Sequence, residues 1–84
     1  MTMESVLKVR TRPDYKMELD FNTGETRIFD VRSYLEKGVF QRLKDISLFK
    51  QAYIAFNTVC WPGDIDIAPE TLYDASVPLQ QMES

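Results

Sequence analysis

Residues 15 to 21 read Tyr-Lys-Met-Glu-Leu-Asp-Phe, placing Tyr15, Met17, Leu19 and Phe21 on one side of an extended chain and Lys16, Glu18 and Asp20 on the other. That alternation is the period of a half-buried strand. A strand cannot satisfy its own backbone, so this segment obliges the rest of the chain to provide hydrogen-bonding neighbours and an apolar layer. Both are at hand. Residues 5 to 12 alternate as well, with Leu7, Val9 and Thr11 opposite Lys8, Arg10 and Arg12, and Pro13-Asp14 marks the turn between the two segments. After Asn22-Thr23-Gly24, residues 25 to 31 form a third segment, with Ile28 on one face and Phe29 and Val31 on the other. The expectation is a three-stranded antiparallel meander.

Register follows from requiring apolar faces to coincide, because a slip of one residue turns every side chain over. Pairing Val9 with Leu19 and Leu7 with Phe21 meets that condition, and sets Arg10 opposite Glu18 and Lys8 opposite Asp20. A two-residue turn at Thr23-Gly24 then places Leu19 opposite Ile28 on the core face and Asp20 opposite Arg27 outside. Lys8, Arg10, Arg12 and Arg27 thus form a basic row flanked by acids. Such a row reads first as a solvated charge ladder, and second as a phosphate-binding patch.

Helix signals come next. Ser33-Tyr34-Leu35-Glu36 has the spacing of a capping box and Gly38 stands where a short helix would end. Asp45 or Ser47 is placed to cap a second short helix carrying Leu48, Phe49 and Ala52. Tyr53 to Phe56 and Thr58 to Trp61 are short apolar runs separated by Asn57, read as a second hairpin or a bent strand pair. Ile65-Asp66-Ile67 resumes briefly, and Pro69-Glu70 opens a short helix with Leu72, Tyr73 and Ala75. The fold class is therefore α+β: the meander, short helices packed on it, a second hairpin and a C-terminal helix. One domain spans residues 1 to 84, with a core from about 5 to 75 and a frayed tail from 76 to 84. The 44 % apolar content is enough for one modest core in 84 residues.

Several chemistries lack their residues. Histidine is absent, which removes the commonest general base, the usual zinc ligands outside all-cysteine sites and imidazole-dependent triads. The glycines at 24, 38 and 63 stand singly, so no dinucleotide fingerprint or P-loop exists and no cofactor is expected. Cys60 is the sole cysteine, which precludes an intramolecular disulfide and reads as a small hydrophobe of an interior strand. No apolar run approaches the roughly 18 residues of a membrane span, and the N-terminus lacks a signal-like stretch, so the expected setting is the cytosol. The net charge of −3 is uneven: residues 1 to 50 hold all ten bases against eight acids, and residues 51 to 84 hold five acids and no base. Asp64, Asp66 and Glu70 are the densest acidic group and the only candidate for a hard cation or a carboxylate mechanism; a turn leading into a helix explains them better.

Several segments taken together resemble a known family. Pro13-Asp14-Tyr15 before an alternating strand, GETRIFDVRSYLEKGVFQRLKD from Gly24 to Asp45, the Leu48-Phe49 pair and WPGDIDIAPETLY from Trp61 to Tyr73 are similar to the bacterial domain-of-unknown-function family 2442. Gly63-Asp64 stands where members often carry an asparagine-glycine turn, and Ala68 replaces a polar helix cap. The resemblance implies an antiparallel sheet with short helices and no established catalytic activity. Members are small bacterial proteins, sometimes encoded beside another short protein, which implies toxin–antitoxin-like or regulatory roles.

The leading expectation is a non-enzymatic module that binds another protein or itself. Phe29 and Val31, if left exposed, are its apolar contact patch; short helices packed across the third strand would cover them instead. The alternatives are a nucleic-acid-associated regulator using Lys8, Arg10, Arg12 and Arg27, and a metal-dependent enzyme centred on Asp64, Asp66 and Glu70.

Overall fold

A computed structural model describes residues 4 to 79. β1 (Val6–Thr11), β2 (Lys16–Phe21) and β3 (Thr26–Asp30) form the expected meander. The first hairpin has the expected pairs Val9 with Leu19, Arg10 with Glu18 and Lys8 with Asp20. It departs at Leu7, where a bulge in β1 brings Val6 rather than Leu7 opposite Phe21. Val6 is thereby buried and Leu7 is left 59 % exposed. The turn before β2 needs a left-handed residue, and Tyr15 fills it at φ 66°. Its ring lies 4.9 Å from that of Phe49 and its hydroxyl donates to the Lys44 carbonyl at 2.5 Å, contacts that offset the strain of a bulky residue there.

The second hairpin corrects the expected register. Its loop has three residues, Asn22 to Gly24, with Gly24 at φ 91°, and it is closed by the Phe21 amide donating to the Glu25 carbonyl. The added loop residue slides β3 by one, so Leu19 faces Arg27 and Met17 faces Phe29. Every side chain of β3 is reversed relative to the two-residue turn. Phe29 and Val31 enter the core, each no more than 1 % exposed, so neither is the contact patch expected from the sequence. Ile28 moves to the opposite side, facing Glu18 and Val77 across the ladder, where it is also buried.

The chain after β3 makes two 3₁₀ segments, Val31–Tyr34 and Gly38–Lys44. Asp30, not Ser33, caps the first by accepting from the Arg32 amide at 2.9 Å, and Gly38 opens the second rather than ending the first. Asp45 caps α1 (Ile46–Phe49) as expected, accepting from the Ser47 amide. β4 (Tyr53–Ala55), β5 (Thr58–Trp61) and β6 (Ile65–Ile67) build a separate three-stranded sheet, and α2 (Pro69–Ala75) starts at the expected proline. Ser76 is buried and Val77–Pro78 form β7 on the free edge of β3. Residues 76 to 78 of the expected frayed tail are thus packed on the meander, and residues 80 to 84 lie outside the described residues.

The four-stranded sheet β1-β2-β3-β7 and the three-stranded sheet β4-β5-β6 enclose one core. Trp61, Phe21, Phe29, Phe49 and Leu43 are among its fully buried members. The indole N–H of Trp61 donates to the Phe49 carbonyl at 3.0 Å, so even the core's polar atom has a partner. The two sheets meet where β1 lies beside β4, tied by the Val6 amide donating to the Asn57 carbonyl at 2.9 Å.

Candidate functional site

Each sheet turns one side to the shared core and one away from it, and the sides turned away, on which Ile28, Thr58 and Cys60 are nevertheless buried, differ in kind. On the four-stranded sheet, the Arg10 guanidinium donates to Glu18 at 3.2 Å and to both carboxylate oxygens of Asp20, at 3.0 and 3.2 Å. Arg12 also binds Glu18, and Thr26 donates to Asp20 at 2.9 Å. The Arg12 hydrogen bond is the main cause holding Glu18 below its ordinary pKa, and the Arg10 bond does the same for Asp20. Cross-strand pairing thus consumes the charge on this face.

Arg27 does not join that row. The register shift turns it to the inner side, where its guanidinium lies 4.4 Å above the Tyr73 ring and donates to Ser76 Oγ at 2.8 Å and to the Ser76 carbonyl at 2.7 Å. Glu25 accepts from Arg27 at 3.1 Å and from the Tyr73 hydroxyl at 2.5 Å. The Tyr73 bond holds Glu25 below its usual pKa, and the same contact raises that of Tyr73. These residues fasten α2 and β7 to the meander. Among Lys8, Arg10, Arg12 and Arg27, only Lys8 makes no ion pair within 4 Å among the described residues. The expected four-residue basic row is reduced to one uncommitted ammonium.

The outward face of the three-stranded sheet is built otherwise. Pairing of Tyr53 with Cys60 and of Cys60 with Asp66 sets those three in a row across β4, β5 and β6, and Ala55 pairs with Thr58 in the next row. Val59 and Trp61 take the alternate positions and point inward. Asp66 is the only residue of this face charged at neutral pH. Cys60 lies beneath its neighbours, where burial first and the Asp66 carboxylate second push the thiol above its ordinary pKa. The β4–β5 loop is Phe56-Asn57, with both residues left-handed at φ 53° and 65°. Such a loop matches strand twist but favours glycine, asparagine or aspartate, and Phe56 is instead 91 % exposed. Tyr53, 47 % exposed, stands on the same hairpin.

Of the acidic candidates, Asp64 lies in the β5–β6 turn at φ 63°, Asp66 on the outward face and Glu70 in the first turn of α2. Among the described residues no group of three or more histidine, cysteine, aspartate or glutamate side chains is arranged to hold a metal ion. No helix among them is long and apolar enough to cross a membrane.

The model of a protein family of unknown function, DUF2442, matches residues 6 to 78, nearly the whole chain. The chain belongs to the DUF2442 family. No curated protein and no solved structure matches it. In this DUF2442 chain the two local departures noted in the sequence are absorbed without loss of the element. Gly63 and Asp64 both adopt left-handed angles, φ 95° and 63°, so the turn closes with Trp61 paired to Ile65. Ala68 offers α2 no side-chain cap, and the helix is begun by Pro69, whose missing N–H needs none. Phe56, the most exposed large apolar residue among the described residues of this DUF2442 member, had one signal in its sequence. Pairing the YIA and TVC runs symmetrically leaves Phe56-Asn57 as the loop.

Proposed function

We propose that this DUF2442 chain is a non-enzymatic protein-interaction module that uses the outward face of its three-stranded sheet. The observation that carries this is Phe56, a large apolar side chain held in solvent by a loop conformation that disfavours it. Local rules broken without an internal compensation concentrate at functional positions. Tyr53, half exposed on the same hairpin, extends the same surface, whereas the charges of the other sheet are mostly spent on one another. The expectation of a cytosolic regulatory partner-binder is kept in this form, with the contact surface moved from Phe29 and Val31 to β4–β6.

A photo-crosslinking amino acid placed at position 56, with a control at the exposed Gln41, tests the reading in lysate of the source cells. Discrete protein adducts at 56 and none at 41 are expected. No adduct at 56, or equal adducts at both, overturns it. The nucleic-acid reading keeps only Lys8 as an uncommitted cation of its proposed row, and binding to DNA or RNA that weakens steeply with salt would revive it.

A further inference from the structure

Carboxylates are paired in one half of this chain and left open in the other. Asp14, Glu18, Asp20, Glu25, Asp30 and Glu36 each lie within 4 Å of a lysine or arginine nitrogen. Asp64, Asp66, Glu70 and Asp74 are all exposed, and none of them has such a partner among the described residues. No lysine or arginine follows Lys50, so the segment that carries these four acids has no cation of its own to offset them. Asp66 ends the row that runs from Tyr53 through Cys60, two strand spacings or about 10 Å from Tyr53. Asp64 stands in the turn that enters the same strand, β6. The exposed aromatics of the β4–β5 hairpin are thus flanked on the β6 side by uncompensated carboxylates. We propose that the partner of this module is a basic protein, which receives Phe56 in an apolar socket and sets lysine or arginine side chains against Asp64 and Asp66.

Area and charge argue together. The 91 % exposure of Phe56 and the 47 % of Tyr53 leave roughly 280 Å² of aromatic surface in water, taking ~200 Å² for each ring side chain. A standard interface buries about 800 Å² per partner, so a contact anchored on these two rings has to spread over their neighbours. Toward β6 the charged neighbours are carboxylates alone. Nucleic acid and anionic lipid are repelled there, whereas a surface of lysine or arginine is drawn in and oriented. A charge on an edge strand also guards against stray strand pairing, which accounts for Asp66 but not for Asp64, Glu70 and Asp74.

This inference rests on the interaction-module reading but fails separately from it. Benzoylphenylalanine at position 56 of the full chain keeps an aromatic group there and captures what contacts it in lysate of the source cells. The readout is how the yield of the main protein adduct depends on charge. It should fall about tenfold as salt rises from about 50 to about 500 mM. Asp64→Asn with Asp66→Asn should lower it severalfold at the lower salt and flatten the salt dependence. Asparagine suits φ 63° at position 64 as well as aspartate does, so this variant should melt within about 3 °C of the parent and loss of folding is excluded as the cause. Glu36→Gln, which removes an exposed acid that Lys44 already pairs, should leave the yield unchanged. An adduct indifferent to salt and to the two substitutions overturns the basic partner while leaving the module reading standing. So does an adduct to nucleic acid or to a second copy of the chain. No adduct at position 56 overturns both.

Discussion

Phe29 and Phe56 are the same residue in opposite circumstances, and truncating each to alanine measures whether the register of β3 is right. Phe29 is 1 % exposed, faces Met17 across the ladder and has its ring 5.4 Å from that of Tyr34. Removing a phenylalanine side chain from such a site costs about 3 to 5 kcal/mol, transfer and cavity terms together. A chain of this length has a total stability of only about 4 to 13 kcal/mol, so Phe29→Ala should lose a large part of it and lower Tm by about 15 °C or more. Phe29→Leu, which fills most of the volume, should cost no more than about 1.5 kcal/mol and keeps the series measurable. Phe56 touches solvent on nearly all sides, and Phe56→Ala should fall within about 0.5 kcal/mol of the parent. Urea unfolding reports both, because Trp61 is the only tryptophan and is buried beside Phe49. A Phe29 side chain standing in solvent would make the two truncations cost the same. Equal costs within about 0.5 kcal/mol, or a larger one at Phe56, would refute the register and the argument for the β4–β6 face with it.

Two further outcomes follow from the polar contacts. Arg27→Ala removes the guanidinium that holds Ser76 and stacks on Tyr73, and should cost about 2 kcal/mol while amide exchange quickens in β7; Arg27→Lys, which keeps the charge but not the fork, should recover less than half. On acidification, Glu18, Asp20 and Asp30 are all held below their ordinary values of 4.5, 3.8 and 3.8 by arginine hydrogen bonds. A carboxylate lowered in the folded state binds fewer protons there than in the unfolded chain, so its stabilisation is complete above the ordinary value and drains away as the pH falls through the lowered one. Tm measured from pH 7 downward should hold until about pH 4.5 and then drop, with Glu18→Gln showing a lower plateau and a shallower acid fall; a decline that begins near pH 6 would contradict this assignment.

Much of this fold can be read along the chain because local rules and tertiary demands agree there. The strict alternation of residues 15 to 21 admits one strand, Asp45 has one helix end within reach, and Pro69 suits only a first turn. The first hairpin's central pairs follow from matching apolar faces. The errors have a common physical source in single-residue shifts. A third loop residue in the β2–β3 hairpin turned Phe29 and Val31 inward and carried Arg27 away from the basic row. A bulge at Leu7 exchanged it with Val6. Both choices are between conformations that differ little locally, and the whole core must be packed before their energies separate. The same holds for the end of the chain, where Val77 and Pro78 have no pattern of their own and become a strand only because β3 offers a free edge.

The candidate site divides in the same way. Sequence alone determined which side chains were available: no histidine, one cysteine, isolated glycines, and a C-terminal third with acids but no bases. It also determined the family. Which charges remained free and which aromatic faced water were decided by tertiary structure, since an ion pair or a buried ring depends on what another strand places within a few ångströms. The sequence already set Arg10 opposite Glu18, but that Arg10 also reaches Asp20, that Arg12 shares Glu18 and that Arg27 leaves the row is decided by the folded sheet. Phe56 looks like one more core residue until the β4–β5 loop lifts it into solvent.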